Sequence, residues 1–397
     1  MAERVIAPVE APLLVWARKT ASIGLDEAAK AAGVTPERLE AWEQGEAKPT
    51  LPQLRALATK YRRPLAVMLL PKPPRDFQPL RDFRRVDELA GGAMPPRVAF
   101  EIRQAQERRE IALDLLDDGA GESERFSLRA ALTDDVEAVA KRVREFLGAD
   151  LSHQSKAARR GQAFAYWRDL IEAKDVLVFV MAGNQAPKVR EVRGFAVPFD
   201  RLPIVAVNGR DRTAGRAFTL LHEFAHLLLG TAVVENAVQP GPWLPAAERK
   251  IERFCNAVAA AVLMPLAQTA QIAQTRGKSA GATWTDAELD AASEQFGASR
   301  EAVLLRMVKL GFAAQRFYLH KRKAFEAEYQ QLDETISGDR FGPPPHLTQV
   351  GRYGKSFARL VLSSYRDRRI TMNDAAAYLN VQAKHISAVE KQAFRAA

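Results

Sequence analysis

Two histidines, His222 and His226, stand four residues apart, and Glu223 lies between them. Residues at this spacing on a helix share one face about one turn apart, so two imidazoles can hold one zinc ion. Glu223 is offset from that line and can reach a metal-bound water without binding the metal itself. The spacing therefore predicts a zinc site with a carboxylate beside its water.

The residues around this motif are almost all apolar from Phe218 to Leu229. A helix that is apolar all round is buried, and burying an unpaired carboxylate costs several kcal/mol. A chance pair of core histidines with Glu223 satisfied elsewhere is the alternative. The specificity of the motif in this context favours the metal site.

Such a zinc site needs a third protein ligand and an open position for water. The single cysteine, Cys255, excludes multi-cysteine sites, and no histidine occurs between the motif and His320, which excludes a nearby third histidine. The predicted helix Ala246–Leu263 carries Glu248 and Glu252 on one face. Their spacing alone does not decide between them.

A second motif begins at Glu252 and continues through Cys255-Asn256 and Val258-Ala259-Ala260 to Met264-Pro265. Together with the histidine motif, it resembles the ImmA/IrrE family of zinc metallo-endopeptidases over residues 161–265. The resemblance implies a zincin-like core with three zinc ligands, His222, His226 and Glu252, and with Glu223 as the catalytic base.

Two positions depart from the family pattern. Cys255 stands where the family usually has alanine, and Val258 stands where it has phenylalanine. We interpret both as packing substitutions, although a thiol three residues from a ligand could make the site sensitive to oxidation. The resemblance further implies a protein substrate, a DNA-bound transcriptional repressor, whose cleavage switches on a stress or mobile-element response.

Near the N-terminus, a short helical segment ends at Gly33, and a second begins with Thr35 as its cap and Pro36 in its first turn. This is the pattern of a helix-turn-helix unit. With Trp42 and Gly45, it resembles the Cro/repressor-like (XRE) domain over residues 13–70.

The second helix of that unit is the one expected to enter a DNA groove. From Thr35 to Glu46 it carries four glutamates against Arg38 alone, a net charge of −3, which repels phosphates. Basic residues flank it, and the candidate DNA contacts are Arg18, Lys19, Arg38, Arg62 and Arg63. A protein-docking role for the same fold is the alternative.

Two later segments, starting at Thr285 and Thr371, also carry capping boxes and helix-hairpin patterns. The last one lies in a basic region, since residues 347–397 contain nine Lys/Arg against three Asp/Glu, a net charge of +6. We interpret the surplus as a solvated basic face. If the chain binds DNA, we expect this region to contribute as much as the N-terminal domain.

Proline clusters at 71–74 and 342–345 interrupt the helical pattern, and three strand-like runs occur at 176–180, 194–197 and 203–207. We expect a mainly α fold with one small β-sheet (α+β). The expected domains are an XRE-type domain at 1–75, a linker and helical segment at 76–160, the metallopeptidase core at 161–265, a helical region at 266–341 and a basic helical region at 342–397.

The composition is that of an ordinary globular protein, with 397 residues, 47% apolar and 27% charged, and a net charge of +10. The longest apolar run contains Pro265, and the N-terminus lacks an apolar core, so we expect a cytoplasmic protein without a membrane partner. The leading hypothesis is a zinc endopeptidase that acts in transcriptional regulation. The alternatives are an XRE-family regulator whose metal site is structural or sensory, and an antitoxin-like binding protein.

Overall fold

The computed structural model describes residues 6–74, 94–120, 123–183, 186–189, 191–211, 213–231, 233–235, 245–336 and 345–394. Most of the second proline cluster, residues 342–344, lies outside these ranges. The chain divides into two compact units. One contains Met1–Gln106 and Gln185–Pro187, and the other contains Glu107–Asn184 and Lys188–Ala397.

The N-terminal unit is a small bundle of helices. It contains α1 (Ala11–Thr20), α2 (Leu25–Ala32), α3 (Pro36–Gln44), α4 (Leu51–Tyr61), a 3-10 turn (Val67–Leu69) and the start of α5 (Pro96–Leu115). Gly33 has a φ of 67°, a value that glycine adopts without strain, and it ends α2. Thr35 then caps α3 by accepting a hydrogen bond from the Arg38 N–H. The expected helix-turn-helix geometry is therefore present.

The second unit is also mainly helical. After a π-helical turn at Leu116–Ala120, it contains α6 (Val136–Leu147), α7 (Leu151–Arg159), α8 (Ala163–Glu172), α9 (Thr213–Leu229), α10 (Ala246–Leu263), α11 (Leu266–Thr275), α12 (Asp286–Phe296), α13 (Arg300–Lys309), α14 (Gln315–Ile336), α15 (Pro345–Tyr353), α16 (Lys355–Arg366), α17 (Met372–Tyr378) and α18 (Ile386–Ala393).

One mixed sheet of four strands lies inside this unit. Its strands are β1 (Leu177–Met181), β2 (Gly194–Val197), β3 (Ile204–Asn208) and β4 (Val233–Glu235), in the order β1-β3-β2-β4. β1 and β3 pair in parallel, and β2 pairs antiparallel with both β3 and β4. The first three strands lie within one residue of the predicted runs. β4 has only three residues, too few for the alternation that marks a strand in sequence.

Helices cover both faces of the sheet, and the alternation of side chains along β1 shows how. Val178 and Val180 join the core cluster that contains Phe224 of α9. Phe179 points to the other face, where its ring lies 6.3 Å from the Phe357 ring of α16 in an edge-on contact. The C-terminal helices therefore complete the core of the unit that contains α9.

The expectation of a mainly α fold with one small sheet is confirmed. Among the described residues, no single helix is both long enough and apolar enough to cross a membrane. The consecutive helices Ala246–Leu263 and Leu266–Thr275 meet both conditions only when taken together, and they are bent by 64° relative to one another.

Candidate metal centre

The first motif lies on α9, which packs against α8, α10 and strands β2 and β3. His222, Glu223 and His226 have no exposed surface. Because all sides of this helix are covered, its apolar residues fill the core, and the three polar side chains have to be satisfied by one another, by neighbouring residues or by a ligand.

The side chains of His222, His226 and Glu252 converge. The two Nε2 atoms lie 3.0 Å apart. Glu252 of α10 places its Oε2 atom 3.3 Å from His222 Nε2 and its Oε1 atom 3.5 Å from His226 Nε2. One ligand atom from each residue lies within 4.8 Å of the other two, so the three can bind one ion.

The charge states of this cluster suit a divalent cation. Burial, and then the neighbouring His222, lower the pKa of His226 to about 3, so its imidazole is neutral at pH 7. Burial alone would raise the pKa of Glu252, but the two histidines outweigh it and lower that pKa below its usual range. Two imidazoles and one carboxylate form the donor set that zinc takes in hydrolases.

The tertiary structure separates the two candidate third ligands. Glu252 meets the histidines with its side chain only 15% exposed. Glu248 lies one turn earlier on α10 and is not part of the cluster. Cys255 and Val258 are buried in the hydrophobic core, as expected for packing substitutions.

Two residues that the sequence did not single out touch this site. Thr231 places its Oγ1 atom 3.4 Å from His226 Nδ1, on the side of the ring that faces away from Glu252. Gly194 of β2 lies against Glu223, since a Cβ built there would be 2.7 Å from Glu223 Oε1. Thr231 directly follows α9 and contacts His226 five residues before it, whereas Gly194 meets Glu223 only through the packing of β2 on α9.

Three of the candidate DNA contacts, Arg18, Lys19 and Arg38, differ in exposure. Arg18 donates from Nε and Nη2 to the two carboxylate oxygens of Glu43, both at 2.7 Å, and only 16% of its side chain is exposed. This pair ties α1 to α3 and removes one charge of each sign from the surface. Lys19 and Arg38, in contrast, are exposed.

The other two candidates contact aromatic rings. The Arg62 guanidinium lies 4.4 Å from the centre of the Phe100 ring. The Arg63 guanidinium lies 4.2 Å from the centre of the Trp16 ring, and Arg63 donates to Thr20 Oγ1 at 2.9 Å. These contacts give both arginines a structural role in the N-terminal unit.

Two family models match the chain. Residues 172–308 match Peptidase_M78, the IrrE N-terminal-like domain, and residues 16–68 match a helix-turn-helix family, HTH_3. No curated protein matches the chain significantly. The first match contains the whole histidine and glutamate cluster and continues past the 161–265 stretch of specific resemblance into α12 and α13. The chain therefore contains a domain similar to the IrrE N-terminal-like peptidase domain, preceded by a domain similar to the helix-turn-helix family.

Proposed function

We propose that the chain is a zinc-dependent endopeptidase, with His222, His226 and Glu252 as the zinc ligands and Glu223 as the catalytic base. The observation that supports this most strongly is the cluster itself, in which two imidazoles and a carboxylate converge within 4.8 Å. The fully buried Glu223 beside it supports a catalytic centre over a purely structural one, since a structural zinc site has no use for an additional carboxylate.

The chemistry divides between the metal and the chain. Zinc bound here would polarise the scissile carbonyl and make water acidic enough to lose a proton near neutral pH. Glu223 accepts that proton as the water oxygen attacks the peptide carbon. It then donates the proton to the departing amine nitrogen as the C–N bond breaks. Thr231 orients the His226 ring by contacting its Nδ1 atom, the usual role of a partner behind a metal-binding histidine.

The substrate that we propose is a transcriptional repressor, whose cleavage switches on a stress or mobile-element response. The presence of a helix-turn-helix domain in the same chain as the peptidase domain supports this. Such a domain can bring the peptidase to a protein partner or to the DNA that the partner occupies.

The test compares the wild-type chain with Glu223→Gln, which keeps the shape of the side chain and removes its basicity. Both are expressed in cells, and newly formed protein N-termini are identified by mass spectrometry. We expect cleavage of a repressor and induction of its genes only with the wild type. Metal analysis should find close to one zinc per chain in both proteins.

The controls are His222→Ala and His226→Ala, each of which should lose the zinc. Full zinc occupancy in either variant would contradict the ligand assignment. A Glu223→Gln chain that changes the same genes as the wild type would contradict catalysis and support a transcription factor with a structural or sensory metal.

A further inference from the structure

The C-terminal region contains a further helix-turn-helix arrangement, formed by α17, a turn and α18. Thr371 and Asp374 form a capping box that starts α17, and Asn380, with a φ of 50°, begins the turn after it. A 3-10 turn at Ala383–His385 then runs directly into α18. A short helix, a left-handed residue and a second helix are the parts of the DNA-binding hairpin.

The second helix of this hairpin has two opposite faces. Ile386, Val389 and Ala393 are buried where α18 packs against α15 and α16. Lys384, Ser387 and Lys391 are exposed. At 3.6 residues per turn, Ser387 and Lys391 lie about 40° apart on the opposite side of α18. Lys384 precedes them in the 3-10 turn that leads into the helix. The turn and the exposed side of α18 together therefore present two ammonium groups and a hydroxyl.

The acidic residues of this region have partners of their own. Glu390 pairs with Arg366, and Asp367 accepts from Arg369 at 2.6 Å. Asp374 accepts the Thr371 N–H at 2.9 Å as part of the capping box. Arg368, just before α17, is exposed and adds another positive charge at the start of the hairpin.

The other two helix hairpins differ in their second helices. In the N-terminal unit, the second helix α3 exposes Glu37, Glu40 and Arg38, a net negative surface. In the hairpin of α12 and α13, the second helix, α13, packs into the hydrophobic core. Its Leu304 and Met307 have no exposed surface, and Arg306 donates to the Met264 carbonyl at 3.1 Å.

We propose that the surface formed by Lys384 of the turn and by Ser387 and Lys391 of α18 binds duplex DNA. We choose DNA as the partner because its charge is complementary to this surface. Lysines that contact phosphates release counterions, and a hydroxyl can form hydrogen bonds with base edges or phosphates. The proposal is independent of the peptidase chemistry, since none of its residues belongs to the metal cluster.

The test uses point variants of the full chain, because α15 and α16 cover the sheet and a deletion would expose it. A fluorescent DNA duplex of arbitrary sequence is titrated with the wild type and with Lys384→Gln/Lys391→Gln. The matched control is Lys156→Gln/Lys309→Gln, which removes two equally exposed charges from α7 and α13. Circular dichroism verifies that all three proteins have the same Tm.

Each phosphate contact contributes a slope of about 0.9 in log affinity against log salt. Loss of two contacts should lower the slope by about 1.8, so the advantage of the wild type over the variant should shrink roughly tenfold between about 50 and about 200 mM salt. The control should keep the wild-type slope.

Three results would overturn the proposal. One is a Lys384→Gln/Lys391→Gln chain with the affinity and slope of the control, which would make this face a solvated or protein-binding surface. Another is a wild-type chain that does not bind the duplex in low salt. The third is a loss of slope confined to Lys19→Gln/Arg38→Gln, which would place the DNA on the N-terminal domain.

Discussion

Gly194 and Glu223 fit together so closely that only a glycine leaves room for the carboxylate. A Cβ at position 194 would lie 2.7 Å from Glu223 Oε1, 2.9 Å from its Cγ atom and 2.9 Å from the Ala206 carbonyl oxygen. All three distances are below normal contact, and the neighbouring carbonyl belongs to β3, which cannot move alone. The start of β2 therefore sets the position of the proposed base.

The first prediction is that Gly194→Ala displaces Glu223 and lowers peptidase activity by about 10²-fold, the cost of a misplacement near 1 Å. Zinc content should stay near one per chain, because the substitution touches no ligand. The control is Gly351→Ala, where a new Cβ meets nothing within 4 Å. Wild-type activity in Gly194→Ala would contradict the role of this contact.

The second prediction separates the two glutamates of α10. Glu252→Ala should weaken zinc binding strongly, because it removes a carboxylate that lies within 3.5 Å of both histidines. Glu248→Ala should change zinc affinity little, since it lies outside the cluster. Competition with a zinc chelator measures both affinities, and the reverse ranking would move the ligand one turn back along α10.

The third prediction concerns the stability of the zinc-free chain against pH. The pKa of His226 falls to about 3 from its ordinary 6.5, because of burial and of His222 beside it. As the pH falls below 6.5, the His226 ring therefore binds a proton in the unfolded chain but stays neutral in the folded chain. The contribution of His226 to the free energy of unfolding should be fully present above pH 6.5. It should decline as the pH falls toward 3, by at most about 1.4 kcal/mol per pH unit.

Urea unfolding at a series of pH values measures this decline. In His226→Asn the free energy of unfolding should change less between pH 6.5 and pH 3 than in the wild type, because the ionisable ring is gone. His320→Asn, at an exposed position on α14, serves as the control and should keep the wild-type slope. An unchanged slope in His226→Asn would show that other groups govern the acid response.

The fourth prediction concerns a buried ion pair that fastens the C-terminal helices to the sheet. Arg168 donates to Glu172 at 2.7 Å and to the carbonyls of Val178 and Gly351, and Glu172 accepts the Ser356 N–H at 3.1 Å. Arg168→Met should lower the free energy of unfolding by about 3–5 kcal/mol, because it leaves Glu172 charged and buried.

A double variant tests the reason for that loss. In Arg168→Met/Glu172→Gln, the buried charge is gone, while the amide oxygen can still accept the Ser356 N–H. We expect the double variant to recover part of the stability lost in Arg168→Met, as measured by urea unfolding. A double variant less stable than the single one would show that the carboxylate is satisfied without Arg168.

Local sequence was sufficient to predict features that depend on helical periodicity or on helix capping. The spacing of His222 and His226 placed two imidazoles on one helix face, and α9 has that face. The Thr35, Thr285 and Thr371 caps were predicted from the residues around them, and each accepts a backbone N–H in the structure. These features depend on residues three or four positions apart, whose separation a helix determines by itself.

Tertiary structure decided what depends on distant parts of the chain. Glu248 and Glu252 share a helix face, so their spacing left both open and the family resemblance implied Glu252. The packing of α10 on α9 brings Glu252 to the histidines. Arg18 is a plausible phosphate ligand by charge, yet Glu43, 25 residues away, engages it. The contact of Gly194 with Glu223 joins a strand to a helix. Such pairings require the whole core to fold, so no local pattern records them.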